Sequence, residues 1–234
     1  MNSPYTSRAN YHIFIPIVTL LIVFTTTTLF AQDLNRFQSE VDQIVAKFDT
    51  TSFQTEKKLA VFTGSSSIRL WSTLSVDIPE LNTMNTGFGG STYKELAHYK
   101  FELITKYQPD IIVVYEGDND VTGAESAAEI ADIAQVFYAD LMKELPDAKI
   151  FVLAAKPSPL RWHLKSKYDE LNTLMHAYTM QHEQLNYIDI WSPMIGPNQR
   201  PLPHIFISDS LHMNAQGYEI WTQTIVPILT PYFD

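Results

Sequence analysis

Short apolar runs alternate along the chain with longer segments in which apolar residues recur every three or four positions. The uninterrupted runs predict strands at residues 59–63, 81–85, 110–115, 149–154 and 185–190. The helical spacing predicts helices at residues 33–48, 92–107, 124–145 and 165–183, and a last helix from 214 to about 225. Strands that alternate with helices predict a parallel sheet in a three-layer α/β/α sandwich. Functional groups in such a fold gather beyond the carboxyl ends of the strands.

Residues 1–31 have the pattern of a targeting segment. Arg8 lies in a polar start, residues 13–30 are apolar or Thr-rich without charge, and Ala31 precedes a polar sequence. This layout predicts a cleaved signal peptide or, because the run is long enough to cross a bilayer, an uncleaved N-terminal membrane anchor. Both place the domain formed by residues 32–234 outside the cytoplasm, in the periplasm or secreted.

Composition excludes several classes of function. The 234 residues suffice for one ordinary domain, and the absence of cysteine excludes disulfides, thiolate zinc sites and a cysteine nucleophile. The net charge is −10 and no basic stripe is present, so nucleic acid is not an expected partner. The same charge opposes adsorption to anionic membranes. We therefore expect membrane contact only through the N-terminal segment.

The stretch at residues 61–71 combines an apolar run, Gly64, three serines and a segment with helical spacing. A strand, a tight turn and a helix are one arrangement that exposes a nucleophile at the carboxyl end of a strand. Glycine permits the sharp turn, and the helix N-terminus offers free N–H groups to a developing negative charge. A serine-rich turn that only caps the helix is the alternative interpretation.

Three further stretches have the residue types that a serine hydrolase needs, at residues 85–92, 117–120 and 209–212. Together with Gly64-Ser65-Ser66 they resemble, in order, the four signature blocks of the SGNH (GDSL-type) esterase/lipase superfamily. The resemblance spans roughly residues 59–218. It implies a sandwich with five strands in flavodoxin-like order and a serine esterase that needs no cofactor or metal.

The resemblance assigns roles to individual residues. It makes Ser66, two positions after Gly64, the nucleophile, with His212 as the base and Asp209 as the residue that orients it. Ser65 stands where the family has an aspartate that is not part of its triad. Ser65 and Ser67 are expected only to cap the turn. A carboxylate three residues before a histidine can reach Nδ1 in a tight turn, which leaves Nε2 for the serine.

The oxyanion that forms during ester hydrolysis requires hydrogen-bond donors. The resemblance assigns three donors: the backbone N–H of Ser66, the backbone N–H of Gly90 and the side-chain amide of Asn119. Glycine at position 90 lets the backbone approach a substrate closely. The alternative for this segment is a plain glycine-rich turn between a strand and a helix.

Two other functions remain open at this point. Glu116, Asp118 and Asp120 could hold a divalent metal, since hard cations prefer carboxylate oxygens, and the protein would then be a metal-dependent phosphohydrolase. The fold could also serve as a binding module without turnover. EDTA sensitivity and reaction with a fluorophosphonate probe separate these functions from an esterase.

The expected substrate is a small-molecule, glycan or lipid ester. No long apolar segment suggests a lid, which favours short acyl groups such as acetyl. The sequence Trp162-His163 and residues 201–206 could line a substrate pocket, although ordinary loop packing is the favoured interpretation. The sequence predicts neither the alcohol part of the substrate nor the oligomeric state.

Overall fold

A computed structural model describes Met1 and residues 33–233 of the chain. The predicted targeting segment therefore lies, apart from Met1, outside the described residues and stays a prediction. Within the described part, none of the helices combines the length and the apolar character that a membrane span requires.

Five parallel strands form the sheet, in the order β2-β1-β3-β4-β5. They are β1 (Leu59–Gly64), β2 (Asn82–Asn85), β3 (Ile111–Tyr115), β4 (Lys149–Leu153) and β5 (Leu185–Ile188). The strand order is flavodoxin-like, so the predicted fold class is confirmed. The central strand β3 is buried along its whole length, as expected for a parallel strand with helices on both faces.

Helices cover both faces of the sheet. They are α1 (Gln38–Asp49), α2 (Ser66–Arg69), α3 (Leu74–Asp77), α4 (Tyr93–His98), α5 (Lys100–Leu103), α6 (Ala127–Glu144), α7 (Lys165–Thr179) and α8 (Ala215–Leu229). Side chains of β3 alternate between two cores because neighbouring residues point to opposite faces. Ile112 and Val114 belong to the core under α1 and α4–α7. Val113 and Tyr115 belong to the core under α2, α3 and α8.

The prediction of one continuous helix at residues 92–107 is wrong. The chain forms α4, α5 and a 3-10 turn, Thr105–Tyr107, instead. Tyr99, between α4 and α5, has φ −97° and ψ 15°, and its buried ring packs edge-on against Phe88 at 6.0 Å. The helix is interrupted at Tyr99, where the ring is buried, and the apolar spacing of the sequence does not reveal this interruption. The short helix α3 was not predicted either.

An aromatic cluster fixes the last helix against the turn that follows β1. Trp71 stacks on Tyr218 at 5.7 Å and meets Trp221 edge-on at 5.8 Å. The Tyr218 hydroxyl donates a hydrogen bond to the Ser67 carbonyl at 2.9 Å. Because α8 begins just after the 209–212 stretch, this packing brings the last sequence block next to the serine-rich turn.

We expect Gly64→Ala to destabilise the fold severely. Gly64 has φ +119°, and a Cβ there would lie 1.9 Å from the Tyr115 carbonyl oxygen, a backbone atom that cannot rotate away. The free energy of unfolding, measured by denaturant titration, should fall by more than about 3 kcal/mol.

Gly90→Ala is the matched control. Gly90 also has a positive φ, +80°, but a Cβ there meets nothing within 4 Å. Its free energy of unfolding should fall only by the cost of placing alanine in the left-handed region, about 1–2 kcal/mol. If the two variants lost equal stability, the contact between position 64 and the Tyr115 carbonyl would not be the cause of the Gly64→Ala effect.

Candidate active site

The predicted nucleophile and oxyanion donors follow β1, β2 and β3 at one edge of the sheet, because the strands are parallel, whereas Asp209 and His212 lie in the loop before α8. Two backbone contacts hold these segments together. The N–H of Ser65 donates to the Tyr115 carbonyl at 3.0 Å, and the N–H of Phe88 donates to the Gly64 carbonyl at 2.9 Å. The glycine-rich segment and the segment after β3 therefore flank the serine turn.

Of the three adjacent serines, Ser66 is the one that reaches the surface. Ser65 and Ser67 are each 1% exposed, whereas Ser66 is partly exposed at the first turn of α2. The buried carbonyl of Ser67 binds Tyr218. Position alone therefore distinguishes Ser66 from its neighbours as a group that a substrate can approach.

A chain of hydrogen bonds joins the three residues that the sequence predicts as a triad. His212 Nε2 lies 2.9 Å from Ser66 Oγ, and His212 Nδ1 lies 2.6 Å from Asp209 Oδ2. An ionised carboxylate can only accept, so Nδ1 carries the proton and donates to Asp209. Nε2 is then the acceptor for the Ser66 hydroxyl.

The turn before His212 orients its carboxylate. Ser210 takes a left-handed conformation with φ 59°, and Asp209 Oδ1 accepts hydrogen bonds from the N–H groups of Leu211 and His212, both at 2.9 Å. Burial alone would raise the pKa of Asp209, but these bonds and the one from the His212 ring outweigh it and lower that pKa to about 2. Asp209 is therefore a carboxylate at neutral pH.

Both other predicted oxyanion donors, Gly90 and Asn119, are partly exposed. Gly90 has a left-handed backbone and open space where a Cβ would project. The Asn119 amide donates from Nδ2 to the Ser91 carbonyl at 2.9 Å. An amide nitrogen carries two hydrogens, and no described residue engages the second one. The structure thus leaves donors at both positions.

Two cations that the sequence analysis did not single out lie under this site. Lys156 is fully buried and donates to the Leu211 carbonyl at 2.9 Å, and Arg161 lies 2.7 Å from Asp118 Oδ1. The hydroxyls of Tyr115 and Tyr168 also donate to Asp118. Burial alone would raise the pKa of Asp118, but Arg161, Tyr168 and Lys156, which lies 3.4 Å from Oδ2, outweigh it and hold this pKa below its usual range. The only signal in the sequence was their position after β4.

The three carboxylates considered for a metal have separate partners. Glu116 accepts a hydrogen bond from Ser91 at 2.8 Å, and Asp120 accepts one from the Tyr93 N–H at 3.2 Å. Asp118 binds Lys156 and Arg161. Among the described residues, no group of three or more His, Asp or Glu side chains is arranged to hold a metal ion.

The two stretches considered as pocket walls pack within the protein only in part, since His163 and His204 are exposed. Trp162 stacks on Trp191 at 5.9 Å, while Ile205 and Phe206 are buried. A groove of about 590 Å³ lies beside β5 and α7, lined in part by His176 and Trp191. It contains none of the predicted site residues and is not the place where the triad would meet its substrate.

Comparison with known proteins decides the family. The model of the GDSL-like Lipase/Acylhydrolase family matches residues 63–220, which include all the predicted site residues. The chain belongs to this family. Membership makes it a carboxylic ester hydrolase of the SGNH type. The search of curated proteins found no match.

Solved structures share the fold at low sequence identity. A GDSL-like lipase from Bacteroides thetaiotaomicron has a TM-score of 0.68 at 22% identity, covering 86% of this chain and 98% of that one. A lipase/acylhydrolase from Enterococcus faecalis has a TM-score of 0.65 at 18% identity, covering 76% and 97%. An acetylxylan esterase from Geobacillus stearothermophilus has a TM-score of 0.60 at 14% identity, covering 73% and 93%.

The buried carboxyl of Asp120 predicts a pH dependence of stability. Burial raises its pKa to about 7, so the folded protein holds a proton that the unfolded chain releases near pH 4. Its contribution to stability is greatest below about pH 4, falls as the pH rises from about 4 to 7, and is constant above that. Asp120→Asn cannot ionise and keeps an acceptor for Tyr93.

We therefore expect Asp120→Asn to gain stability relative to the wild type between pH 5 and pH 8, by roughly 2 kcal/mol. Denaturant titrations at both pH values measure this gain. Asp132→Asn, at an exposed position of α6, is the matched control and should leave the pH profile unchanged. Parallel pH profiles for wild type and Asp120→Asn would show that Asp120 is already ionised in the folded protein.

Proposed function

We propose that Ser66, His212 and Asp209 hydrolyse carboxylic esters through an acyl-enzyme. The observation that supports this most is the continuous hydrogen-bond chain from the Ser66 hydroxyl through both ring nitrogens of His212 to Asp209, at 2.9 and 2.6 Å. A hydroxyl becomes an effective nucleophile when an adjacent base takes its proton, and the base needs a third group to fix its tautomer.

In the first half of the reaction, Ser66 Oγ attacks the ester carbonyl carbon while its proton moves to His212 Nε2. Asp209 stabilises the imidazolium that forms. The N–H groups of Ser66 and Gly90 and the amide of Asn119 bind the oxyanion. When the intermediate collapses, the alcohol leaves with the proton from Nε2, and the acyl group stays on Ser66.

In the second half, a water molecule attacks the acyl carbonyl and gives a proton to His212 Nε2. The same three donors bind the second oxyanion. Its collapse releases the carboxylic acid, and the proton on Nε2 returns to Ser66 Oγ. Atoms and protons balance without a metal or cofactor.

We propose short acyl groups, acetyl above all, on a glycan or lipid alcohol. Two catalytic mutants of the acetylxylan esterase replace an Asp and a His three positions apart, the same spacing as Asp209 and His212.

Apolar surface lies next to the His212 turn. Leu160 is 53% exposed and donates its N–H to Ser210, and Ile207 is 46% exposed. These side chains suit the apolar part of a small ester. The N-terminal pattern supports an exported enzyme.

Ser66→Ala should abolish ester hydrolysis. Residues 32–234 are assayed with p-nitrophenyl acetate, butyrate and octanoate in EDTA. Loss of the nucleophile should lower kcat by about 10⁴-fold or more, because the triad acts as a unit. The wild type should prefer the acetate ester and remain active in EDTA.

Ser67→Ala is the matched control, since Ser67 is an adjacent serine whose side chain is buried. It should retain most of the activity. Full activity in Ser66→Ala would exclude Ser66 as nucleophile. Inhibition by EDTA would favour the metal-dependent phosphohydrolase. A wild type that neither turns over nor reacts with a fluorophosphonate would favour a binding module.

A further inference from the structure

Arg161 makes contacts at the back of the proposed oxyanion hole that the reaction scheme above does not use. Its Nη2 donates to Asn119 Oδ1 at 3.0 Å, and its Nη1 donates to the backbone carbonyl of Asp118 at 2.8 Å. The guanidinium also pairs with the Asp118 carboxylate, and its side chain is only 14% exposed. A planar guanidinium can hold several acceptors at once in a fixed geometry, which a lysine cannot do.

The Asn119 side chain is thus held at both ends. Arg161 binds its oxygen, and the Ser91 carbonyl accepts from its nitrogen at 2.9 Å. These two contacts fix the plane of the amide and decide which end is oxygen and which is nitrogen. The remaining hydrogen on Nδ2 therefore has one direction available to it.

The charge of Arg161 has a second effect. A hydrogen bond from a cation to the amide oxygen draws electron density from the amide, which makes its N–H groups stronger donors. Burial opposes the charge on Arg161, but the neighbouring Asp118 carboxylate outweighs burial and keeps the pKa of Arg161 above its ordinary value. The guanidinium consequently stays charged across the working pH range of the enzyme.

We propose that Arg161 is a positioning residue that orients and polarises the Asn119 amide for oxyanion binding. It touches neither the substrate nor the reacting atoms and acts through Asn119. This inference rests on the proposed esterase function, because it assumes that Asn119 binds the oxyanion. It adds the mechanism by which a half-buried loop amide becomes a preorganised donor.

The neighbouring Lys156 provides a useful contrast. It donates to the same Asp118 carboxylate at 3.4 Å, but its shorter hydrogen bond, 2.9 Å, goes to the Leu211 carbonyl, next to His212. The two cations thus bind one carboxylate and support different segments of the site. A general structural effect of weakening the Asp118 cluster would reach both segments, whereas the proposed role of Arg161 is confined to Asn119.

A double-mutant cycle with Arg161→Met and Asn119→Ala tests this proposal. The kcat and KM for p-nitrophenyl acetate are measured for the wild type, both single variants and the double variant. Asn119→Ala should lower kcat by about 10²–10³-fold, as for loss of one oxyanion donor. Arg161→Met should lower kcat by about 10–100-fold with KM within about threefold, since the lost interaction belongs to the transition state.

The double variant is the deciding measurement. If Arg161 acts through Asn119, its loss has no further effect once the amide is absent, and the double variant should match Asn119→Ala within about threefold. Multiplicative losses would overturn the proposal and assign Arg161 a role through Asp118 or the fold. An unchanged kcat in Arg161→Met would also overturn it.

Two more variants keep the test valid. Arg161→Lys retains a cation beside buried Asp118, so it serves if Arg161→Met fails to fold. A point charge cannot bind Asp118 and Asn119 together, so its kcat should still fall, and wild-type kcat would overturn the proposal. Arg200→Met removes an exposed arginine that lies 5.5 Å from the ring centroid of nearby Trp162 and should leave kcat unchanged.

The cycle also distinguishes failure of the proposed function from failure of the proposed role of Arg161. If Asn119→Ala retained the wild-type kcat, the oxyanion assignment in the proposed function would be wrong, and the role of Arg161 would fall with it. If Asn119→Ala were impaired while Arg161→Met were not, the proposed function would stand and only the role of Arg161 would be excluded.

Discussion

The close approach of β1 to β3 at their carboxyl ends is the constraint on which the site depends. Gly64 passes so near the Tyr115 carbonyl that no side chain fits between them, and the next N–H, that of Ser65, donates to the same carbonyl. This contact turns the chain sharply after β1 and places Ser66 at the surface while its neighbours are buried. It also sets the segment that begins at Glu116, which contains the proposed oxyanion donor Asn119, beside the serine turn.

Much of the fold could be predicted from sequence because the relevant signals are local. Five apolar runs separated by helical periodicity were enough for a parallel α/β sandwich, and four short motifs indicated the family. The interruption of the helix at Tyr99 was not predictable in this way. It involves a contact with Phe88, which lies outside the predicted helix and has no part in its apolar spacing. The Ser66–His212 contact joins residues 146 positions apart, and only the family resemblance indicated that pairing.

The buried cations beneath the site, Lys156 and Arg161, were not revealed by the sequence. Lys156 and Arg161 follow β4 in a loop without a recognisable motif, and a lysine or arginine in a loop is usually solvated. Here Lys156 is fully buried, and both side chains meet at Asp118. An isolated buried carboxylate is unfavourable, and several donors together make it acceptable. Arg161 also binds Asn119, the proposed oxyanion donor, and Lys156 binds the carbonyl of Leu211, the residue before His212. One buried cluster therefore contacts both parts of the proposed site.

The proposed mechanism rests above all on the identity of the nucleophile. Reaction with a fluorophosphonate probe followed by peptide mass spectrometry measures it without knowledge of the natural substrate. If the mechanism is right, one phosphonyl group attaches to Ser66, and His212→Ala reacts much more slowly because the hydroxyl loses its base. A label on Ser65 or Ser67, or equal labelling rates with and without His212, would contradict it.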